Sequence, residues 1–208
     1  MGRIIESFKT IVHLGTHIQF FNTVIYSYRD NEDYINQIKL PGFYENAPFS
    51  KAVSGFLQNY SIIIICSFLD ELDKEFTPIK HPDYAERILK VKNIIKPIRK
   101  RINKWTDLKN FRNYILAHNL REKDLSIFSE DYIKKTYKIP FSNSEHYLLG
   151  ELVIFAIQII TSEFTDVIKN IDLNENILSR IDFTFNEIDA QKEFDDIRIE
   201  CLKRQNEN

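Results

Sequence analysis

Apolar residues recur at three- and four-residue steps along most of the chain, which is the spacing of one face of a helix. The first such stretch covers residues 3–29, and the second covers Ser50–Phe76, where Thr77-Pro78 should end it. The β-branched run Ile62–Ile65 would also suit a buried strand, but the helical repeat continues through it. The pattern therefore predicts two long helices. The loop between them, residues 30–49, has room for only a short turn of helix.

A third helix and a shorter fourth one follow. His81-Pro82-Asp83 opens the third helix, because proline is accepted in a first turn. Pro97 should kink this helix or split it in two. Residues 105–121, WTDLKNFRNYILAHNLR, then have the pattern of one amphipathic helix. Either Thr106 or Asp107 can cap its start, because each side-chain oxygen can accept a hydrogen bond from a free backbone N–H.

The last core helix is nearly continuous in apolar residues. Before it lies a polar loop, in which short extended pieces are expected at 125–128 and 137–139. Ser142 or Ser144 can cap the helix, which should end near Asn170. We expect its Phe and Tyr residues, like those of the other long helices, to belong to the core.

Composition supports an all-α fold of a single domain. The chain has 208 residues, 43% of them hydrophobic, and its 5 Gly and 6 Pro are too few for a many-stranded sandwich or barrel. We predict a bundle of four to five long helices over residues 1–170. Residues 171–208 should form a peripheral helical segment that packs on the same domain.

Charge is unevenly distributed along a nearly neutral chain. The formal net charge is −2, yet the range from Arg87 to Arg112 holds ten basic residues and one acid. Residues 182–208 hold eight acids and four basic residues. This asymmetry leaves room for one cationic face, and the alternative is that both stretches are ordinary solvated helix faces.

Several kinds of site are not favoured. Cys66 and Cys201 form no disulfide framework, and Cys66 should be a reduced, buried thiol. His13 and His17 stand four apart, but no carboxylate accompanies them at helical spacing, so we expect partly buried or surface histidines and no metal. No Gly-rich phosphate loop is present, so no cofactor is expected. The apolar stretch 147–160 is too short to span a bilayer, which favours a soluble cytoplasmic protein.

The chemistry-bearing residues lie in the fourth helix, where Arg112 and His118 flank five residues. A histidine titrates near neutrality and can move the proton of a ribose 2′-OH. An arginine stays charged, and its planar fork fits a phosphate. Six residues apart on a regular helix, the two side chains differ by about 240° around the axis and roughly 9 Å along it. A two-fold dimer could bring two copies of the motif together, and Ala117 is small enough to allow a close approach.

The sequence of this helix resembles the signature motif of the HEPN superfamily, and most closely that of its abortive-infection branch. The resemblance rests on Trp105, Phe111-Arg112-Asn113 and Ala117-His118-Asn119. It implies an HEPN-like helical bundle with metal-independent endoribonuclease activity, in a toxin–antitoxin or phage-defence system. It also implies a homodimer with RNA as substrate and an antitoxin or other protein as a possible partner.

The resemblance also implies roles for individual residues. Arg112 and His118 would be catalytic, and Asn113 matches the polar position beside the arginine. Asp70 is the nearest match to an acidic residue on an earlier helix. Beyond the motif, the basic residues that could follow an RNA backbone include Arg121, Lys109 and Lys104.

The alternative interpretation gives the motif a structural role. Arg112 would then salt-bridge Asp70, Asp73 or Asp107, and His118 would stabilise a helix C-terminus. The protein would be a non-catalytic helical interaction or RNA-binding module. The acidic residues Asp70, Glu71 and Asp73 are expected either at a solvated helix end or as partners of Arg112. His146 is expected on the surface.

Overall fold

The computed structural model of the protein describes most of the first 169 residues. The chain divides into two units, Met1–Ile171 and Asp172–Asn208. The predicted peripheral helix and its packing lie outside the described residues, as does Cys201. The residues described are 2–37, 48–116, 121–122, 125–126, 137–169 and 192.

Helices make up nearly all of the described secondary structure, so the predicted all-α class is confirmed. Two two-residue strands, β1 (Arg121–Glu122) and β2 (Leu125–Ser126), pair antiparallel. The helical elements are α1 (Gly2–Asp30), α2 (Glu32–Ile35), α3 (Phe49–Asp70), a π-helix (Glu71–Glu75), a 3₁₀ helix (Pro82–Tyr84), α4 (Ala85–Ile94), α5 (Lys96–Ile102), α6 (Leu108–Phe111), a second π-helix (Arg112–Leu116), α7 (Asn143–Glu163) and α8 (Thr165–Ile168).

Proline ends or divides the helices where the sequence predicts. The helical run from α3 stops before Thr77-Pro78, and Ile62–Ile65 is helix rather than strand. Pro97 lies in the first turn of α5, and Ile95 is the break between α4 and α5. The split arises because a proline ring removes one helical hydrogen bond and clashes with the preceding turn.

The core is built where α1, α3 and α7 pack together. Three fully buried phenylalanines meet there: Phe8 lies 5.6 Å from Phe76 and 5.0 Å from Phe164, centroid to centroid. Phe76 and Phe164 are 5.7 Å apart in an edge-on arrangement. Each ring therefore contacts the other two, in the tilted or edge-on geometries that aromatic pairs prefer.

Two glycines allow α1 and α7 to approach closely. A Cβ atom at Gly15 of α1 would lie 2.8 Å from Ile157 Cδ1 of α7. A Cβ atom at Gly150 of α7 would lie 2.5 Å from Oδ1 of Asn22 on α1. The Asn22 side chain is buried there and donates from Nδ2 to Glu151 (2.8 Å). Each helix thus contributes one glycine to the same antiparallel contact.

The N-terminus of α7 fixes the position of a buried histidine. Ser142 caps the helix by accepting from the Glu145 N–H, and Glu145 Oε2 in turn accepts from the Ser142 N–H. This start places His146 on the same face as Leu149 and Val153, so it is 1% exposed. Its Nδ1 lies 3.1 Å from Ser61 Oγ. The expectation of a surface His146 is wrong, because the helix begins at the position that turns residue 146 inward.

Not every aromatic residue of the long helices belongs to the core. Phe20 of α1 and Phe56 of α3 are 69% and 76% exposed, which contradicts that expectation. Among the described residues, one segment, Val53–Glu75, is long and apolar enough to cross a membrane by length and composition, a property that core helices of soluble proteins share. Phe56 is exposed because the apolar pattern of α3 extends around more of the helix surface than the neighbouring helices cover.

Substitution of Gly150 by alanine should destabilise the fold. The added methyl group meets Asn22, so α1 and α7 must separate or Asn22 must move, at a cost of about 1–3 kcal/mol. Gly55→Ala is the matched control, because a Cβ there has no neighbour within 4 Å, and alanine should stabilise helix α3 by roughly 0.5–1 kcal/mol. Urea unfolding measures both. Equal effects of the two substitutions would contradict the close approach.

Acid should weaken the fold through His146. Burial lowers its pKa from 6.5 to about 4, although the Pro140 carbonyl and Glu145 act in the opposite direction. The unfolded chain therefore binds a proton between pH 6.5 and 4 that the folded chain excludes. The stability should be fully present above pH 6.5 and fall by up to about 1.4 kcal/mol per unit as pH drops. Urea unfolding at pH 7 and pH 5 should show a smaller difference for His146→Gln, and an unchanged difference would refute this role.

Candidate functional site

Two π-helical turns occur at the predicted site. Helix α3 continues beyond Asp70 as the π-helix Glu71–Glu75, where the Phe76 N–H donates to the Glu71 carbonyl (2.8 Å). Helix α6 continues as the π-helix Arg112–Leu116. Such wide turns are rare and are frequent at functional sites. No feature of the residue pattern predicted them.

The motif helix is therefore not the regular helix that was predicted for residues 105–121. Residues 103–107 form turns, and α6 begins only at Leu108. From Arg112 onward each residue turns by less than the 100° of an α-helix, so the 240° separation does not apply. Trp105, Phe111 and Ile115, three of the apolar residues of this segment, are buried.

Asp107 precedes α6 but does not cap it with its side chain. Its Oδ2 accepts instead from the Lys138 N–H (2.9 Å) and from Thr106 Oγ1 (3.1 Å). The Asp107 N–H donates to the Lys138 carbonyl (3.3 Å), and the rings of Phe111 and Tyr137 lie 5.4 Å apart. The predicted side-chain cap is thus wrong, because the carboxylate attaches the start of the motif helix to residues 137–139.

The centre of the candidate site is an ion pair between Asp70 and Arg112. Arg112 Nη1 donates to Asp70 Oδ2 (2.8 Å), and Arg112 Nε donates to Asn113 Oδ1 (3.0 Å). Lys109 Nζ donates to the other oxygen of Asp70 (3.0 Å). The side chains of Arg112 and Asp70 are 22% and 21% exposed, so the pair is mostly shielded but reachable from solvent.

The charge state of Asp70 is fixed by these donors. Partial burial raises the pKa of its carboxyl, but hydrogen bonds from Arg112 and Lys109 outweigh burial and lower the pKa to about 2. Asp70 is therefore an anion at neutral pH and cannot serve there as a proton donor. Its role is to hold the two cations, so the interpretation of Asp70 as a solvated helix end is wrong.

A second carboxylate extends the network. Arg99 Nη2 donates to both oxygens of Asp73 (2.8 Å each), and Lys109 lies 3.5 Å from Asp73. Lys74 lies 3.4 Å from Asp70. Arg99 was not among the residues predicted from the sequence. The spacing of Asp70 and Asp73, three apart on one helical face, could have indicated a shared set of partners.

This ion network carries excess positive charge. Its carboxylates are those of Asp70 and Asp73, and both are used by more than one cation. Lys92 lies nearby, donating to the Leu72 carbonyl (2.8 Å), and burial lowers its pKa. A surface with more cations than anions can attract a phosphate.

Cys66 lies one helical turn before Asp70 and is fully buried with a free thiol, as expected. Burial raises the pKa of its thiol to about 11, and the positive charges of Arg112 and Lys109 only partly oppose this shift. A neutral, enclosed thiol is a poor nucleophile. Cys66 therefore fills space beneath the ion pair.

The structure brings together Asp70, Lys109, Arg112 and Asn113 among the predicted site residues. Lys104 is exposed in the turn before α6, apart from this group. His118 and the side chain of Arg121 lie outside the described residues.

Much of the basic stretch from Arg87 to Arg112 is used within the fold. Arg87 pairs with Asp166, and Lys90 with Glu163, at 2.6 Å each. The guanidinium of Arg101 stacks on Trp105, 4.1 Å from the ring centroid. In the part of the chain that the structure describes, the exposed cations without an ion pair in this stretch are Lys96, Lys100 and Lys104.

Within the described ranges, no group of three or more His, Cys, Asp or Glu side chains could hold a metal ion. Comparison with known protein families, with curated proteins and with solved structures found no significant match to this chain.

The Asp70–Arg112 pair should contribute measurably to stability. In a double-mutant cycle with Asp70→Asn and Arg112→Gln, we expect a coupling free energy of roughly 0.5–3 kcal/mol. Each single substitution leaves the remaining charged side chain shielded from water and without this counter-ion. Urea unfolding at pH 7 provides the values. The exposed pair Glu75–Lys80 is the control, with an expected coupling of at most about 1 kcal/mol. An Asp70–Arg112 coupling near zero would contradict the shielding.

Proposed function

We propose that the protein is a metal-independent endoribonuclease of the HEPN type, acting in a toxin–antitoxin or phage-defence system. Arg112 would stabilise negative charge on the scissile phosphate, and His118 would act as general acid or base. Asp70 and Asn113 would orient the arginine. The observation that carries the proposal is the Asp70–Arg112 ion pair, which fixes a partly exposed guanidinium beside an excess of positive charge.

The contacts of Arg112 support a role in binding phosphate. Arg112 Nη1 donates to Asp70 and Nε donates to Asn113, and Nη2 makes no hydrogen bond to the described residues. A guanidinium held on two sides loses little further rotational freedom when it binds a ligand at the third corner. Preorganised cationic donors are the main source of catalysis where charge develops on phosphate oxygens.

The proposed reaction needs only proton transfer and charge stabilisation. The ribose 2′-OH attacks the adjacent phosphorus while a base removes its proton, and the bond to the 5′-oxygen of the next nucleotide breaks as that oxygen gains a proton. A histidine can carry out either proton transfer near neutral pH. Asp70 is unsuited to either role, because its pKa of about 2 makes it a weak base and leaves it no proton to donate.

We also propose a homodimer in the cytoplasm, with RNA as substrate and an antitoxin or other protein as a further partner. On a regular helix, Arg112 and His118 would point in different directions, which is why a dimer was predicted from geometry. Because residues 112–116 are π-helical, that argument loses force, and the dimer rests on the resemblance of the motif.

A second candidate function is a non-catalytic helical interaction or RNA-binding module. The specific observation in its favour is that Asp70 and Asp73 already neutralise part of the charge of Arg99, Lys109 and Arg112. An arginine held in this way also stabilises the junction of α3 with the motif helix. The two candidates differ in whether bound RNA is cut.

Substitutions at the motif should separate catalysis from folding. Arg112→Lys keeps a positive charge for Asp70 but loses the planar fork, and His118→Ala removes the proposed acid or base. We expect each to reduce RNA cleavage at least about 100-fold with little change in melting temperature. Lys169→Ala, at an exposed position in no ion pair with the described residues, is the control and should cleave like wild type. Cleavage should also persist in EDTA.

Three results would overturn the ribonuclease proposal: no cleavage of RNA by the wild-type protein, full activity of Arg112→Lys, or loss of activity in EDTA. Retention of RNA without cleavage would favour the second candidate. In that case Lys104→Ala should weaken binding and reduce its salt dependence, because Lys104 would contact phosphates.

A further inference from the structure

Two histidines and a tyrosine meet at the seam between α1 and α3, away from the ion network. His13 and His17 lie one turn apart on α1, with ring centroids 4.6 Å apart and ring planes inclined by 63°. Both are partly exposed. Tyr60 of α3 reaches across the seam, and its hydroxyl oxygen lies 2.9 Å from His17 Nδ1. His13 and His17 form the histidine pair, and Tyr60 is its tyrosine.

The tyrosine contact selects which ring nitrogen of His17 can bind a ligand. When Nδ1–H donates to the Tyr60 hydroxyl oxygen, the lone pair of the ring is on Nε2. Histidines that bind metal ions commonly donate their other ring N–H to a neighbouring oxygen, which orients the ring and increases its basicity. Tyr60 occupies the place of that oxygen.

The separation of the two rings suits a shared ion. Two imidazole nitrogens bound to one metal ion, each about 2.0–2.1 Å from it, place their ring centroids roughly 4.5 Å apart at a ligand angle of about 90° and roughly 5.2 Å apart at the tetrahedral angle. The observed 4.6 Å lies within this range. The separation of the two rings is therefore compatible with one shared ion.

We propose that the histidine pair binds a transition-metal ion of the zinc or nickel class, through Nε2 of His17 and one ring nitrogen of His13. Imidazole nitrogens are the ligands that these ions favour. The remaining coordination positions are open to water or to a small ligand, because within the described ranges no third metal-binding side chain joins the pair. A metal site was not expected here from the sequence. The spacing of the two histidines alone could not show that a tyrosine of another helix orients His17.

This site is separate from the proposed ribonuclease site. Tyr60 is ten residues before Asp70 on α3, a distance of about 15 Å along the helix axis. Metal binding at the histidine pair and metal-independent chemistry at Arg112 are therefore compatible, and each can fail without the other.

Calorimetric titration tests the proposal. The untagged protein, treated with EDTA to remove bound metal, is titrated with Zn²⁺ and separately with Ni²⁺. We expect one equivalent of ion to bind, and His13→Asn or His17→Asn to weaken binding at least tenfold. Tyr60→Phe keeps both ligands and should weaken it about 10–100-fold through loss of the orienting oxygen. Thr16→Ala is the control, because its exposed hydroxyl bonds only back to the Val12 carbonyl (3.1 Å) and is expected to leave binding unchanged.

Histidine ring NMR with Zn²⁺ provides a second measurement on the wild-type protein, independent of how the variants fold. Signals of His13 and His17 should shift, and those of the buried His146 should not. Absence of binding by the wild type, undiminished binding by His17→Asn, or equal affinity of Tyr60→Phe would overturn the proposal. RNA cleavage by the His17→Asn variant should equal that of the wild type whichever way the titration ends.

Discussion

The ion pair between Asp70 and Arg112 determines the geometry of the candidate site. Both charges are largely removed from water, and removal of either leaves the other partly buried without its main counter-ion. The pairing joins the end of α3 to the start of the second π-helix, so it orders the segment that leads toward His118. Lys109 and the Asp73–Arg99 pair surround it with further charge. The position of the proposed phosphate-binding arginine is thus a consequence of an acidic residue forty-two positions earlier in the chain.

The helical architecture was largely predictable because it depends on patterns that are local in sequence. The apolar repeat predicted α1, α3 and α7, Pro97 predicted the break between α4 and α5, and Ser142, one of two expected caps, predicted the start of α7. The exceptions depend on geometry between helices. His146 lies on the apolar face of Leu149 and Val153, but its polar partner Ser61 belongs to α3, and no local pattern predicts that contact.

The candidate site was predictable in its residues but not in its geometry. Residue types and spacing identified Arg112, and the resemblance of the motif implied Asn113 and Asp70. The structure places these three in contact. The π-helical turns were not foreseeable, because a single extra residue in a helical turn leaves the apolar pattern almost unchanged. Arg99 was missed because its partner Asp73 is twenty-six residues away, and pairing over that distance depends on the fold.

Tyr137 and Lys138 are attached to the start of the motif helix. Two hydrogen bonds between Asp107 and Lys138 and the edge-on contact of Phe111 with Tyr137 form this attachment. The entropy of closing a loop grows only logarithmically with its length. The number of residues between Phe111 and Tyr137 therefore changes the free energy of this attachment only slightly. Evolution can alter that number without loosening the contact that holds the start of the motif helix in place.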